Sequence, residues 1–116
     1  MTYTDVKTMI AGIGIPYAYY QFTKDTAQPP PFICFYFTAD DDLMADNTNY
    51  QKISELVVEL YTEQKDFTQE QAVESALNGA GLAYRREEAA IASERLYLCS
   101  FYTTVVITEE DTNGNN

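Results

Sequence analysis

Two stretches of the chain, Phe32 to Ala39 (FICFYFTA) and Arg95 to Ile107 (RLYLCSFYTTVVI), are apolar, aromatic or β-branched on both alternating faces. Successive side chains of a strand point to opposite sides of its sheet, so runs of this kind need cover on both sides. Whatever else the chain forms must supply that cover, or leave it to another molecule.

The helices available for the task are few. Val6, Met9, Ile10 and Ile13 recur at helical spacing, with Thr4 or Asp5 placed to cap the start and Gly12 and Gly14 to end it. A second helix is predicted from Thr68, which forms a capping box with Gln71, through the stripe Ala72, Val73, Ala76, Leu77 and Ala80 to a stop at Gly79 and Gly81. Between them, Pro16 resets the chain and Tyr17 to Thr23 is aromatic with strand preference. Lys24 to Pro31 is polar and closes on three prolines, a stiff exposed connection or an edge. Asp40 to Asn49 reads as a solvated loop. Tyr50 to Thr62 is a long strand with Leu56, Val58 and Leu60 on one face and Ile53, Glu55, Val57, Glu59 and Tyr61 on the other. Ala83 to Glu88 is a further strand, and the acidic, Asn/Gly-rich end beyond Thr108 is expected to be a disordered tail.

The order α-β-β-β-α-β-β predicts one α+β domain over 1–108, with the tail at 109–116. Its sheet is antiparallel or mixed, has about five strands, and carries both short helices on one face. Two helices cannot hide both sides of strands 32–39 and 95–107, so a second copy or a partner is expected on the bare face.

Histidine is absent from all 116 residues, which removes the commonest general base and metal ligand. Cys34 and Cys99 sit in apolar strands with nothing basic nearby in sequence and read as small buried hydrophobes, with a disulfide between them as the alternative. Neither a catalytic residue nor a metal site nor a cofactor is therefore expected. The formal charge of -11, from 18 acidic against 7 basic side chains, argues against nucleic-acid binding, since phosphate is bound by neutralising it. No membrane partner is expected either, for no apolar run reaches the roughly 18 residues of a spanning helix. The ten tyrosines are the positive feature, because tyrosine offers large contact area with a polar tip.

Several ordered features carry a family resemblance. They are Pro16-Tyr17-Ala18-Tyr19 leading to Phe22, Pro29-Pro30-Pro31-Phe32-Ile33, the Asp-rich loop into Tyr50, and Val58-Glu59-Leu60-Tyr61-Thr62 followed by Lys65-Asp66. The Gln/Glu-opened helix over 69–80 and Glu94-Arg95-Leu96-Tyr97 complete the set. In this order the chain resembles the tail-terminator (tail-completion) proteins of long-tailed bacteriophages and prophages. The resemblance implies an α/β sandwich that forms a homohexameric ring, caps the tail tube, ends its polymerisation and forms the joint to the head. Partners would be copies of itself, the tail tube protein and a head-completion or connector protein. The place would be the head-proximal end of the virion tail, after assembly in the host cytoplasm. On this reading Tyr17, Tyr19, Tyr36, Tyr61 and Tyr97 are expected at subunit or partner interfaces, and Asp40, Asp41, Asp42 and Asp46 along the ring channel. Three rivals stay open. One is a small cytosolic adaptor that binds a cellular partner. Another is a head-tail connector or minor tail protein. The third is an enzyme, either a carboxylate hydrolase using Glu55 and Glu59 or a calcium-dependent one using the Asp loop.

Overall fold

The computed structural model describes residues 1–43 and 51–108, with the backbone alone at 39–43 and 51. Asp46 and the tail at 109–116 lie outside these residues, as does the 44–49 part of the loop expected over Asp40 to Asn49. Element order is α1 (Tyr3–Ala11), β1 (Tyr17–Tyr19), β2 (Phe32–Leu43), β3 (Gln51–Thr62), α2 (Phe67–Gly79), β4 (Tyr84–Ile91) and β5 (Leu96–Thr108), with one 3-10 turn, Ala92–Glu94, before β5. The five strands form one mixed sheet in the order β1-β2-β3-β5-β4. β1 runs parallel to β2 and all other pairs are antiparallel. This is the expected fold class and element order.

Both helices pack on the same side of the sheet. Val6 and Ile10 of α1 and Val73 and Leu77 of α2, each pair four residues apart, meet Ile33 and Phe35 of β2, Leu56, Val58 and Leu60 of β3, and Cys99, Phe101, Val105 and Ile107 of β5. Phe101 lies at the centre with no exposed surface. Burying a side chain of this size stabilises the fold by roughly 2 to 3 kcal/mol, so the dozen or so apolar residues of this layer set the stability of the domain.

Four local expectations are corrected. Helix α1 starts earlier than Thr4. Thr2 is its cap, accepting from the Asp5 amide at 3.0 Å while Asp5 Oδ2 accepts from the Thr2 amide at 2.8 Å. In α2 the capping residue is Asp66, whose carboxylate accepts from the Gln69 amide at 3.1 Å, and Thr68 lies inside the first turn. An Asp ahead of the turn competes with Thr for the same amide donors and places its oxygens closer to the helix N-terminus, where negative charge is favoured. The strand expected over 17–23 stops at Tyr19, because Tyr20 takes a left-handed φ of 72° that turns the chain out of the ladder.

The fourth correction concerns Asp40, Asp41 and Asp42, which stand in β2 and not in a loop. Their backbones pair with Ser54, Ile53 and Lys52, after a register shift between Phe37 and Asp40. Aspartate disfavours strands, but β3 extends to Gln51 and offers a continuous ladder, and a bulge absorbs the mismatch. The last two strands shift by smaller amounts from the ranges expected, to Tyr84–Ile91 and Leu96–Thr108.

Candidate assembly surface

The side of the sheet away from the helices is built by alternation. Cys34 and Tyr36 of β2, Val57, Glu59 and Tyr61 of β3, and Leu98, Ser100 and Tyr102 of β5 fall on it by register. Among the described residues no helix covers this face. Val57 nevertheless has no exposed surface, because Tyr36 and Tyr102 stand directly opposite it on the flanking strands. The face is therefore sealed by its own tyrosines.

Two of the tyrosines are fixed by one acid. Glu59 accepts from the Tyr36 hydroxyl at 3.0 Å and from the Tyr61 hydroxyl at 2.9 Å, one on each carboxylate oxygen. Burial, and then the Glu59 carboxylate, push the Tyr36 phenol up to about 12 and the Tyr61 phenol higher still, so both remain neutral donors. Thr38 donates to Glu55 at 2.6 Å. Ring contacts continue the surface: Phe32 stacks on Tyr61 at 4.8 Å, Phe22 meets Phe32 edge-on at 5.5 Å, and Tyr20 tilts over Tyr36 at 5.3 Å. At the far margin the Arg85 guanidinium lies 4.1 Å over the Tyr102 ring and pairs with Glu87 at 2.6 Å.

The five tyrosines expected at interfaces do not form one surface. Tyr36 and Tyr61 share Glu59 on the open face. Tyr17 and Tyr19 belong to the opposite side at the β1 margin, against Phe35, where they line a groove of about 520 Å³ together with Tyr3, Lys7 and Phe37. Tyr97 lies elsewhere again, its hydroxyl donating to Glu88 at 2.5 Å.

That last contact belongs to a charged cluster that the sequence alone does not reveal. Glu70 of α2 is 2% exposed and accepts from Lys65 Nζ at 2.8 Å and from Arg86 of β4 at 2.7 Å. Arg86 also reaches Glu74 at 2.6 Å and Glu88 at 2.9 Å, and Lys65 reaches Glu88 at 2.5 Å. The cluster fastens α2 to β4 and β5. Its only trace in the sequence is spacing: Glu70 and Glu74 share a helix face, and Arg86 and Glu88 share a strand face.

Other chemistry finds little support in the geometry. Cys34 pairs in register with Glu59 and Cys99 with the next residue, Leu60, so the two thiols point to opposite sides of the sheet and stand free. Burial raises both, Cys99 to about 11, which leaves them protonated and poorly nucleophilic at neutral pH. Glu55 and Glu59 are four residues apart on one strand, about 13 Å along it, well beyond the roughly 5 to 9.5 Å of glycosidase carboxyl pairs. Among the described residues there is no group of three or more Cys, Asp or Glu placed to hold a metal ion. No described helix is long and apolar enough to cross a membrane.

The molecule is thus a one-sided sheet domain, with helices on one face and an aromatic, acid-pinned surface on the other. No family model matches the sequence, and no curated protein matches it. A solved structure does share its fold: a chain from the virion of a native gene transfer agent particle superposes with a TM-score of 0.52 at 13% identity. The match covers 87% of this chain and 84% of the other, so the likeness extends over the whole domain and is a likeness of fold.

Proposed function

We propose that this chain is a virion structural protein without catalytic activity, and that it caps the phage tail tube as a hexameric ring, ends tube polymerisation and forms the joint to the head. The observation that carries the reading is the fold shared, almost end to end, with a chain of a gene transfer agent virion. The open tyrosine face supports it, because a face of large aromatic groups outside the helical layer is suited to burial between protein surfaces. So does the resemblance in the order of motifs from Pro16 to Tyr97.

Ring closure on this reading buries two surfaces of each copy, the Tyr36 and Tyr61 face and the Tyr17 and Tyr19 margin, which lie on opposite sides of the sheet. Two different patches in head-to-tail contact generate a closed ring when the rotation between copies closes. On this reading the acidic end of β2, Asp40, Asp41 and Asp42, lies along the channel and keeps DNA from adhering as it passes. Replacing Asp40, Asp41 and Asp42 by Asn is expected to slow DNA passage in reconstituted particles; unchanged ejection contradicts this role.

Negative-stain imaging of the purified protein mixed with tail tubes and with empty portal-bearing heads tests the whole reading. Rings at the head-proximal tube end are expected. Density at the portal vertex instead makes the chain a head-tail connector, the second reading compatible with the same fold.

A further inference from the structure

On the open face, a cavity of about 390 Å³ opens beside the Tyr36–Glu59–Tyr61 cluster. Four aromatic residues, Tyr20, Phe22, Phe32 and Tyr61, line it beside polar and aliphatic ones, Cys34 and Glu94 among them. Glu59 does not itself line the cavity, but as the register partner of Cys34 it stands next to the lining. We propose that this cavity is a binding site for a guanidinium group, an arginine side chain presented by a partner protein.

Charge and shape both favour this occupant. No lysine or arginine lines the cavity. The ion pairs described above involve Glu70, Glu74, Glu87 and Glu88, and Glu59 and Glu94 take part in none of them. Each Glu59 oxygen takes one tyrosine hydroxyl, and a carboxylate offers about four acceptor positions, so acceptor capacity remains. Aromatic faces around a negative charge attract a cation strongly once water is displaced. A planar guanidinium stacks on rings and bonds carboxylates at its edge in a way an ammonium does not. Arg85, 4.1 Å above Tyr102 on the same face, shows the stacking mode within the chain itself. Tyr20, 64% exposed, is open to an incoming side chain.

The probe is N-acetyl-L-arginine amide, titrated into the protein while the ring resonances of Tyr20, Phe32 and Tyr61 are followed by NMR. The citrulline analogue is the uncharged control of the same shape. Saturable shifts confined to these rings are expected with the arginine probe, at least about fivefold weaker with the citrulline one, in keeping with the loss of one charge-assisted contact. Glu59→Gln, and separately the exposed Glu94→Gln, which leaves the sheet untouched, are each expected to weaken binding by a similar factor. Equal binding of the two probes, or shifts that are spread over the acidic surface and indifferent to Glu94→Gln, overturn the proposal.

Discussion

Glu88 gathers three donors on one exposed strand: Lys65 Nζ and the Tyr97 hydroxyl at 2.5 Å, and Arg86 at 2.9 Å. The hydrogen bonds from Lys65 and Tyr97, with Arg86 adding to them, hold its carboxyl down to about 2, against an ordinary 4.5. Unfolding releases these contacts, so the unfolded chain binds a proton here at higher pH than the folded one. The stabilisation is complete above about pH 4.5 and is lost as the pH falls toward 2. Wild type is therefore expected to exceed Glu88→Gln in urea midpoint at neutral pH, with the gap narrowing across that window; a gap that stays constant from pH 6 to pH 2.5 contradicts the assignment. Glu70, buried beneath the same cluster, has a different role, since its removal leaves two cations facing a vacated position. Glu70→Ala is expected to cost about 1 to 3 kcal/mol in equilibrium unfolding, whereas a surface pair contributes less than about 1 kcal/mol.

The elements divide by how local their causes are. The two faces of β3 were legible from alternation alone, with Leu56, Val58 and Leu60 in the core and Glu55, Val57, Glu59 and Tyr61 on the other side. The two helices were legible from spacing, but their first residues were not, because Thr2, Thr4 and Asp5, like Asp66 and Thr68, all supply cap oxygens within a turn of one another. The structure makes a sharp distinction here: Asp66→Ala is expected to lower stability by about 1 kcal/mol and Thr68→Ala by less than about 0.5 kcal/mol. Thermal or urea unfolding of both variants decides it, and the reverse order contradicts the cap. The aspartates of β2 were misread because strand preference is weak and pairing with β3 overrides it. The charged cluster was illegible for another reason, since its members come from the α2 approach, α2, β4 and β5, up to 32 residues apart (Lys65 to Tyr97), and only the fold brings them together.

At the scale of the whole molecule, the same shortage of helix that the sequence shows is what gives the domain its two unlike faces. Both helices lie on one side, and the other keeps Tyr36 and Tyr61 bound to Glu59 on the sheet itself. Pinning by Glu59 orders the rings before any partner arrives, which lowers the entropy lost when they are buried. Under the proposed function, a component that docks in one orientation on the end of a tube gains from surfaces prepared in this way. The proposed role in termination makes a direct demand on polymerisation. Tail tube protein is allowed to elongate on preformed tubes, with and without prior incubation with this chain, and the length distribution is measured by electron microscopy. The account expects elongation at the head-proximal end to stop in the presence of the chain, with ring density on the arrested ends; tubes that lengthen equally in both samples contradict it.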